Sequence, residues 1–215
     1  MKNKKFNVIY LHTHDAGRFI EPYGYSFNTP NLMELAKSGM VFRKAYCAAP
    51  SCSPSRASLM TGEYPHSNGM FGLASRNSGW QLNDYSHHIC HTMKKYGYET
   101  VLSGVQHLAK MPISDRDDLG YDRHLNPLPK EVHDDFDYRN IHIAAAEYIK
   151  EEHEKPFFLS VGFLDPHRAD GNLFIKHKEG ESSDLDWRYE KPLPIYEDNN
   201  ISRRETANFR EGVSH

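Results

Sequence analysis

From Pro156 to Phe163 the chain reads P-F-F-L-S-V-G-F, eight residues with one hydroxyl and no charge. A strand this continuously apolar needs cover on both faces, which is the environment of a parallel strand inside an α/β sandwich. Phe6 to His12 and Glu99 to Ser103 read as further strands, and so does Val41 to Cys47 (V-F-R-K-A-Y-C), the second in chain order. Helices are expected between them. Thr29-Pro30 opens one as N-cap and first helical residue, and Gly39 closes it. Pro54 to Met60 is a short helix, His88 to Tyr96 ends at Gly97, and Asn140 to His153 is the clearest amphipathic segment. Strands alternating with helices predict an α/β fold with a mostly parallel central sheet.

Beyond Asp170 the chain becomes polar and poorly periodic up to Asn200, which predicts a surface excursion over about 171–200. Ile201 to Val213 then reads as a helix, with Ser202 as its cap and Glu205 three residues on. The 215 residues suffice for one sizeable core, and 38% hydrophobic with 12% aromatic residues marks a globular chain. With 26 basic against 29 acidic residues, no pull toward nucleic acid is expected. No apolar run is long enough to span a bilayer, so no membrane is expected either. The N-terminus is basic and then apolar, but Asn7 interrupts the short apolar part and no small-residue cleavage site follows. It reads as a strand, and the expected compartment is the cytoplasm. Three cysteines, Cys47, Cys52 and Cys90, do not make a disulfide framework; Cys47 and Cys90 read as half-buried thiols.

The densest chemical signal is Cys52 to Gly62, C-S-P-S-R-A-S-L-M-T-G. With Cys, Pro, Ser, Arg, Thr and Gly held fixed, a chance match in this chain is on the order of one in a million. Cys52 is expected just ahead of a helix, where unpaired N–H groups and the helix dipole favour an anion. Arg56 follows within the first turn as a bidentate clamp, and Gly62 lets the chain leave the helix in a left-handed conformation. As a plain thiolate, Cys52 would be acidified by that setting. A tyrosine-phosphatase loop needs five residues between Cys and Arg, and here there are three. A buried cysteine beside a capping turn is the plain structural alternative.

This run resembles the signature of the type I sulfatases, whose cysteine is oxidised to formylglycine. The resemblance extends upstream through T-P-N-L-M-E-L-A-K-S-G-M-V-F-R-K-A-Y and downstream through G-E-Y-P-H-S-N-G-M. Together with H-S-N-G-M-F-G-L and P-F-F-L-S-V-G-F-L-D-P-H-R it is similar to the heparan N-sulfatase (sulfamidase) group and its bacterial relatives. It implies an alkaline-phosphatase-like α/β/α sandwich, of which residues 1–215 are the N-terminal portion, with the C-terminal part missing. Met60 stands where the family usually has Leu, a volume-conserving change.

The resemblance also implies roles. Two adjacent aspartates after strand one hold a Ca²⁺ ion in the family; here the pair reads His14-Asp15, so Asp15 matches and His14 departs. A softer divalent ion such as Mn²⁺ or Zn²⁺ is the alternative. The implied metal set is Asp15, His14 and the oxidised Cys52. Gly104-Val105-Gln106-His107 aligns with a family Gly-Lys-x-His, so His107 is expected at the formylglycine and Val105 removes a positive charge. His167, in D-P-H-R, is expected to contact sulfate together with Arg56.

The implied reaction is hydrolysis of a sulfate ester or sulfamate on a sugar, after a formylglycine-generating enzyme matures Cys52. The metal and Asp15 would activate the nucleophile, Arg56 and His167 would hold the sulfuryl oxygens, and His107 would act as base. The family's Asp-Asn-Gly does not occur, and Asp198-Asn199-Asn200 does not replace it. Weak or absent activity of the chain alone is therefore expected. A non-catalytic sulfatase-like fragment or binding protein and a phosphodiesterase or phosphonate hydrolase on the same scaffold remain as alternatives. So does an amidohydrolase-type metal pair, His12-x-His14, which would require a (β/α)₈ barrel.

Overall fold

The computed structural model describes residues 5–25, 27–74, 79–109, 118–125, 140–164, 167, 188, 191–192 and 194–214, with the backbone alone for 208–214. The chain divides into two compact units: residues 1–12 with 46–163, and residues 13–45 with 164–215.

The first unit is built on four parallel strands: β1 (Val8–His12), β2 (Glu99–Gly104), β3 (Arg123–His124) and β4 (Phe157–Gly162). Their order is β1-β4-β2-β3. β4 separates β1 from β2, whereas a (β/α)₈ barrel pairs its strands in sequence order; the barrel alternative is excluded. β4 lies between β1 and β2, with Leu159 opposite both Ile9 and Val101. All six of its residues are buried, as its composition predicts.

Side chains alternate between the two faces of the sheet. Phe157, Leu159, Val161 and Val101 pack with Ile141, Ala145 and Tyr148 of α5 (Ile141–Lys150). On the other face Tyr10 packs against a second cluster, which includes Ala57 and Met60 of α2 (Cys52–Thr61) with Met70, Leu82, Tyr85 and Leu108. A 3-10 turn (Tyr85–His87) and two short helices, α3 (Pro65–Asn68) and α4 (Ile89–Lys95), complete the described elements of this unit. His88 caps α4 through its ring, Nδ1 accepting from Cys90 N–H at 3.3 Å.

The second unit contains a 3-10 turn (Glu21–Tyr23), α1 (Pro30–Ser38) and α6 (Asn200–Ser214). α1 begins and ends where the sequence places it. Thr29, however, does not cap it with its hydroxyl; that oxygen accepts from Glu21 N–H at 3.1 Å, while the Glu21 carboxylate accepts from Thr29 N–H at 3.3 Å.

Several expectations are corrected. Val41 to Cys47 is not a strand: a strand needs a hydrogen-bonded neighbour, and Phe42 and Tyr46 instead stand largely in solvent. The helix expected over Asn140 to His153 stops at Lys150, because Glu151 leaves in an extended conformation (ψ 157°). α6 is capped by Asn199, whose Oδ1 accepts from Ser202 N–H at 2.9 Å, and not by Ser202. Asp198 in the same run is paired with Arg203 at 2.5 and 2.7 Å, a structural use of Asp198-Asn199-Asn200. Cys47 is exposed and Cys90 fully buried, where half-burial of both was expected. The excursion predicted over 171–200 lies mostly outside the described residues. β3, two residues long, and α3 have no periodic signal of their own.

Candidate functional site

α2 starts at Cys52 itself, two residues earlier than its sequence pattern suggests. Pro54 is its third residue, where a missing N–H costs nothing. Ser51, the residue before it, makes no side-chain capping bond. Cys52, at the positively polarised end of the helix, is half-buried, not sealed in the core. Ser53 beside it is fully buried and its hydroxyl accepts from Ala74 N–H at 3.0 Å, tying the segment after α3 to the helix. Asn68 braces the same region: its Oδ1 accepts from Met70 N–H at 2.9 Å and its amide donates to Glu63 O at 3.0 Å. Gly62 ends α2 in the left-handed region (φ 74°), as expected.

The C-terminal ends of β1, β4 and β2 meet closely. Val105 N–H donates to Gly162 O and Phe163 N–H to His12 O, each at 2.9 Å. A Cβ on Gly162 would lie 2.0 Å from Val105 O and under 3 Å from the His12 ring. The chain then turns through His107, a non-glycine residue in the left-handed region (φ 55°). The buried Gln106 side chain holds this turn. Its carbonyl oxygen accepts from Leu108 N–H and, at 2.9 Å, from Ala109 N–H, while its amide donates to Ala109 O at 3.0 Å. His107 is thereby fixed half-buried, with a ring nitrogen within 4.8 Å of the Cys52 sulfur. Gln106 was not singled out from the sequence; its place inside Gly-x-x-His was the available signal.

Arg56 is one helical turn after Cys52, on the same face of α2. Its Nη1 donates to His12, 2.5 Å from Nδ1 and 3.3 Å from Nε2. The His12 ring thus bonds this guanidinium. Tyr10 stacks on the His12 ring (centroids 4.8 Å apart, 26° between planes). Burial pushes the Tyr10 phenol up, and the Arg56 charge partly opposes this.

Cys90, a further thiol of this unit, is chemically distinct. Burial pushes the Cys90 thiol well above its ordinary value, which keeps it protonated and inert. Burial also pushes the His88 imidazole beside it down to about 4.

Asp15, His14 and His167 belong to the second unit. Asp15 is exposed, with a left-handed backbone (φ 52°). His14 is buried, and its ring meets that of His167 edge to face at 5.2 Å. Calcium binds through oxygen, about six to eight ligands of it. Here one carboxylate stands next to a buried imidazole, so the pair fits a calcium cage poorly and suits a softer divalent ion better.

Comparison with known proteins agrees with this architecture. The sulfatase family model matches residues 7–202. Human N-sulphoglucosamine sulphohydrolase is 30% identical over 183 residues, 82% of this chain and 36% of the relative. An ulvan-active sulfatase of Formosa agariphila is 34% identical over 169 residues, 77% of this chain and 31% of that protein. The chain thus spans about a third of the length of these curated relatives. Among solved structures, the yidJ protein of Bacteroides fragilis superposes with a TM-score of 0.72 at 23% identity, over 100% of this chain and 57% of that one. An alkaline-phosphatase-superfamily protein of Vibrio parahaemolyticus does so with a TM-score of 0.54 at 18% identity, over 99% and 49%. These two likenesses bear on the fold, which is the α/β sandwich expected. From the family match over residues 7–202 and the identity with the human enzyme, the chain belongs to the sulfatase family.

Proposed function

We propose that this chain is the N-terminal portion of a sulfatase catalytic domain that hydrolyses sulfate esters or sulfamates of sugars, with Cys52 as the matured nucleophile. The observation that carries the proposal is Cys52 at the first residue of α2, half-buried and with its sulfur within 4.8 Å of a His107 ring nitrogen. The match to a sulphohydrolase of N-sulphoglucosamine supports a sulfated sugar as substrate. Because the chain spans 36% of that relative, the complete reaction is proposed for the fold with its remaining part present.

The sulfatase family generally uses a metal ion and a formylglycine. Cys52 suits the second, since its side chain can be reached and the polarised helix end stabilises oxygen anions. Once oxidised to the aldehyde by the maturation enzyme and hydrated, that side chain would supply one hydroxyl as nucleophile toward sulfur and a second whose deprotonation expels sulfate and restores the aldehyde. The residues of the chain then divide the remaining work. Arg56 binds sulfuryl oxygens and offsets their charge, assisted by His167. His107, held by the Gln106 turn, takes a proton from the position-52 side chain. Asp15 would supply a carboxylate to a divalent ion. His14, standing where the family has a second carboxylate, would offer such an ion an imidazole nitrogen.

The test is co-expression with a formylglycine-generating enzyme, followed by mass spectrometry of the Cys52 peptide and assay of sulfate release from an aryl sulfate and from N-sulfoglucosamine. Conversion of the thiol, and loss of sulfate release on Cys52→Ala in the complete enzyme, are expected. An unmodified thiol in a maturation-competent host, or turnover retained by Cys52→Ala, overturns the nucleophile. Val105 at the lysine position favours a second reading, a sulfatase-like protein that binds sulfate without turnover. Conversion of Cys52 without sulfate release from any substrate would favour it.

A further inference from the structure

We infer that His12 is a positioning residue: its Nδ1 holds the Arg56 guanidinium in the orientation with which the arginine grips a sulfuryl oxygen. This rests on the sulfatase reading for the identity of the anion, and on geometry within the first unit for everything else.

Three constraints leave the His12 ring little freedom. Its own carbonyl accepts from Phe163 N–H at 2.9 Å, which fixes the backbone at the end of β1. Its strand partner is Gly162, and a Cβ there would come within 2.7 Å of Cε1 and 2.8 Å of Nε2, so the ring occupies the volume that glycine leaves open. Tyr10, two residues earlier on the same face of β1, stacks on it at 4.8 Å. A ring so confined is a rigid acceptor. Arg56 Nη1 lies 2.5 Å from Nδ1. A guanidinium is a planar fork of N–H donors, so fixing one nitrogen restrains the whole plane and lowers the entropy lost when an anion is gripped. An N–H donated to Nδ1 requires the lone pair there, so the role calls for the tautomer with its ring proton on Nε2.

The sequence also favours a role over accident. β1 reads V-I-Y-L-H, and the histidine stands at its C-terminal end, the edge of a parallel sheet where ligands bind. Arg56 sits four residues after Cys52 on α2, so restraining the guanidinium also sets its approach to whatever the position-52 side chain holds.

Inorganic sulfate binding to the 215-residue protein tests the role, together with ¹⁵N NMR of the His12 ring. The unsubstituted protein should show Nδ1 as an unprotonated acceptor, with a signal that moves on Arg56→Ala. His12→Leu, which keeps bulk but offers no acceptor, should weaken sulfate on the order of tenfold. His12→Asn, whose carbonyl oxygen can take the place of Nδ1, should stay within about threefold. Arg56→Ala and the double variant with His12→Leu should bind equally poorly, because one partner has no effect without the other.

The inference is overturned by a ring proton on Nδ1, by a His12 signal that ignores Arg56→Ala, by unchanged sulfate affinity in His12→Leu, or by additive losses in the double variant. If the unsubstituted protein binds no sulfate, the anion role of the pair falls, while the sulfatase reading still stands or falls on conversion of Cys52 in the complete enzyme. If sulfate binds but Cys52 is never converted, that reading alone fails, and the His12–Arg56 coupling stands on its own data.

Discussion

β4 and β1 are hydrogen-bonded neighbours, both almost wholly apolar, and they share five register pairs. Every residue of β4 is buried, yet Val8, Ile9 and Leu11 of β1 are 38%, 48% and 54% exposed. Composition does not explain the difference; neighbours do. β4 lies between β1 and β2 and is covered on one face by α5, whereas β1 has one strand neighbour among the described residues. The same side chains therefore contribute very different amounts to stability. At roughly 25 cal/mol per Å² of apolar surface removed from water, an isoleucine that keeps half its area in solvent gains about half the stabilisation.

The largest expected contrast is between two truncations at paired positions. Leu159→Ala removes a fully buried side chain and leaves a cavity, so a loss of about 2–5 kcal/mol is expected from urea unfolding. Ile9→Ala, directly opposite it in β1, should cost well under half as much, about 1 kcal/mol. Equal losses would break the comparison and mean that β1 is covered in solution.

Burial acts on charge as it does on carbon. The His88 imidazole, which titrates near 6.5 when unfolded, is pushed down to about 4 in the folded protein. The unfolded chain therefore binds the extra proton first as pH falls. Stability is unaffected by this group above about pH 6.5 and drops as pH goes from about 6.5 to about 4, by about 3 kcal/mol over the window. His88→Asn keeps an acceptor for Cys90 N–H and should flatten that part of the urea-midpoint profile against pH; an unchanged slope would remove His88 as its source.

Two glycines sharpen the contrast between crowded and open positions. Gly162→Ala sets a methyl group against Val105 O and the His12 ring, and a loss of about 1–3 kcal/mol is expected, with the His12 NMR signals displaced. At Gly62 nothing lies within 4 Å of an added Cβ, so only the left-handed backbone resists substitution. Gly62→Ala should cost about 1 kcal/mol in thermal unfolding, the smallest effect of the series.

Much of the first unit was legible from short stretches. The apolar run at Pro156 announced a doubly covered strand, and β4 is one. Gly97, with φ 81°, ends the chain's approach to β2 as its position after the α4 pattern suggested. Cys52 and His107, 55 positions apart in the numbering, were paired only through family resemblance; no local pattern joins them. Other readings failed for physical reasons. Val41 to Cys47 has strand composition but, among the described residues, no neighbouring strand to complete it. β3 is too short to show a period and exists because Arg123 and His124 lie opposite Val101 and Leu102. Gln106 is an ordinary polar residue until the turn around His107 closes on its side chain.

By itself the sequence determined which segments could be strand or helix and, at Pro30, Gly39 and Gly62, where a helix begins or ends, because apolar spacing, proline and glycine act over a few residues. It also carried the C-S-P-S-R run that marks the family. Only the tertiary structure decided that β4 is central and β1 less covered, that the His12 ring meets Arg56, and that His107 comes to Cys52. Those outcomes depend on strand order and on the close approach that Gly162 permits, which are interactions between segments far apart in the chain and leave no periodic trace within either one.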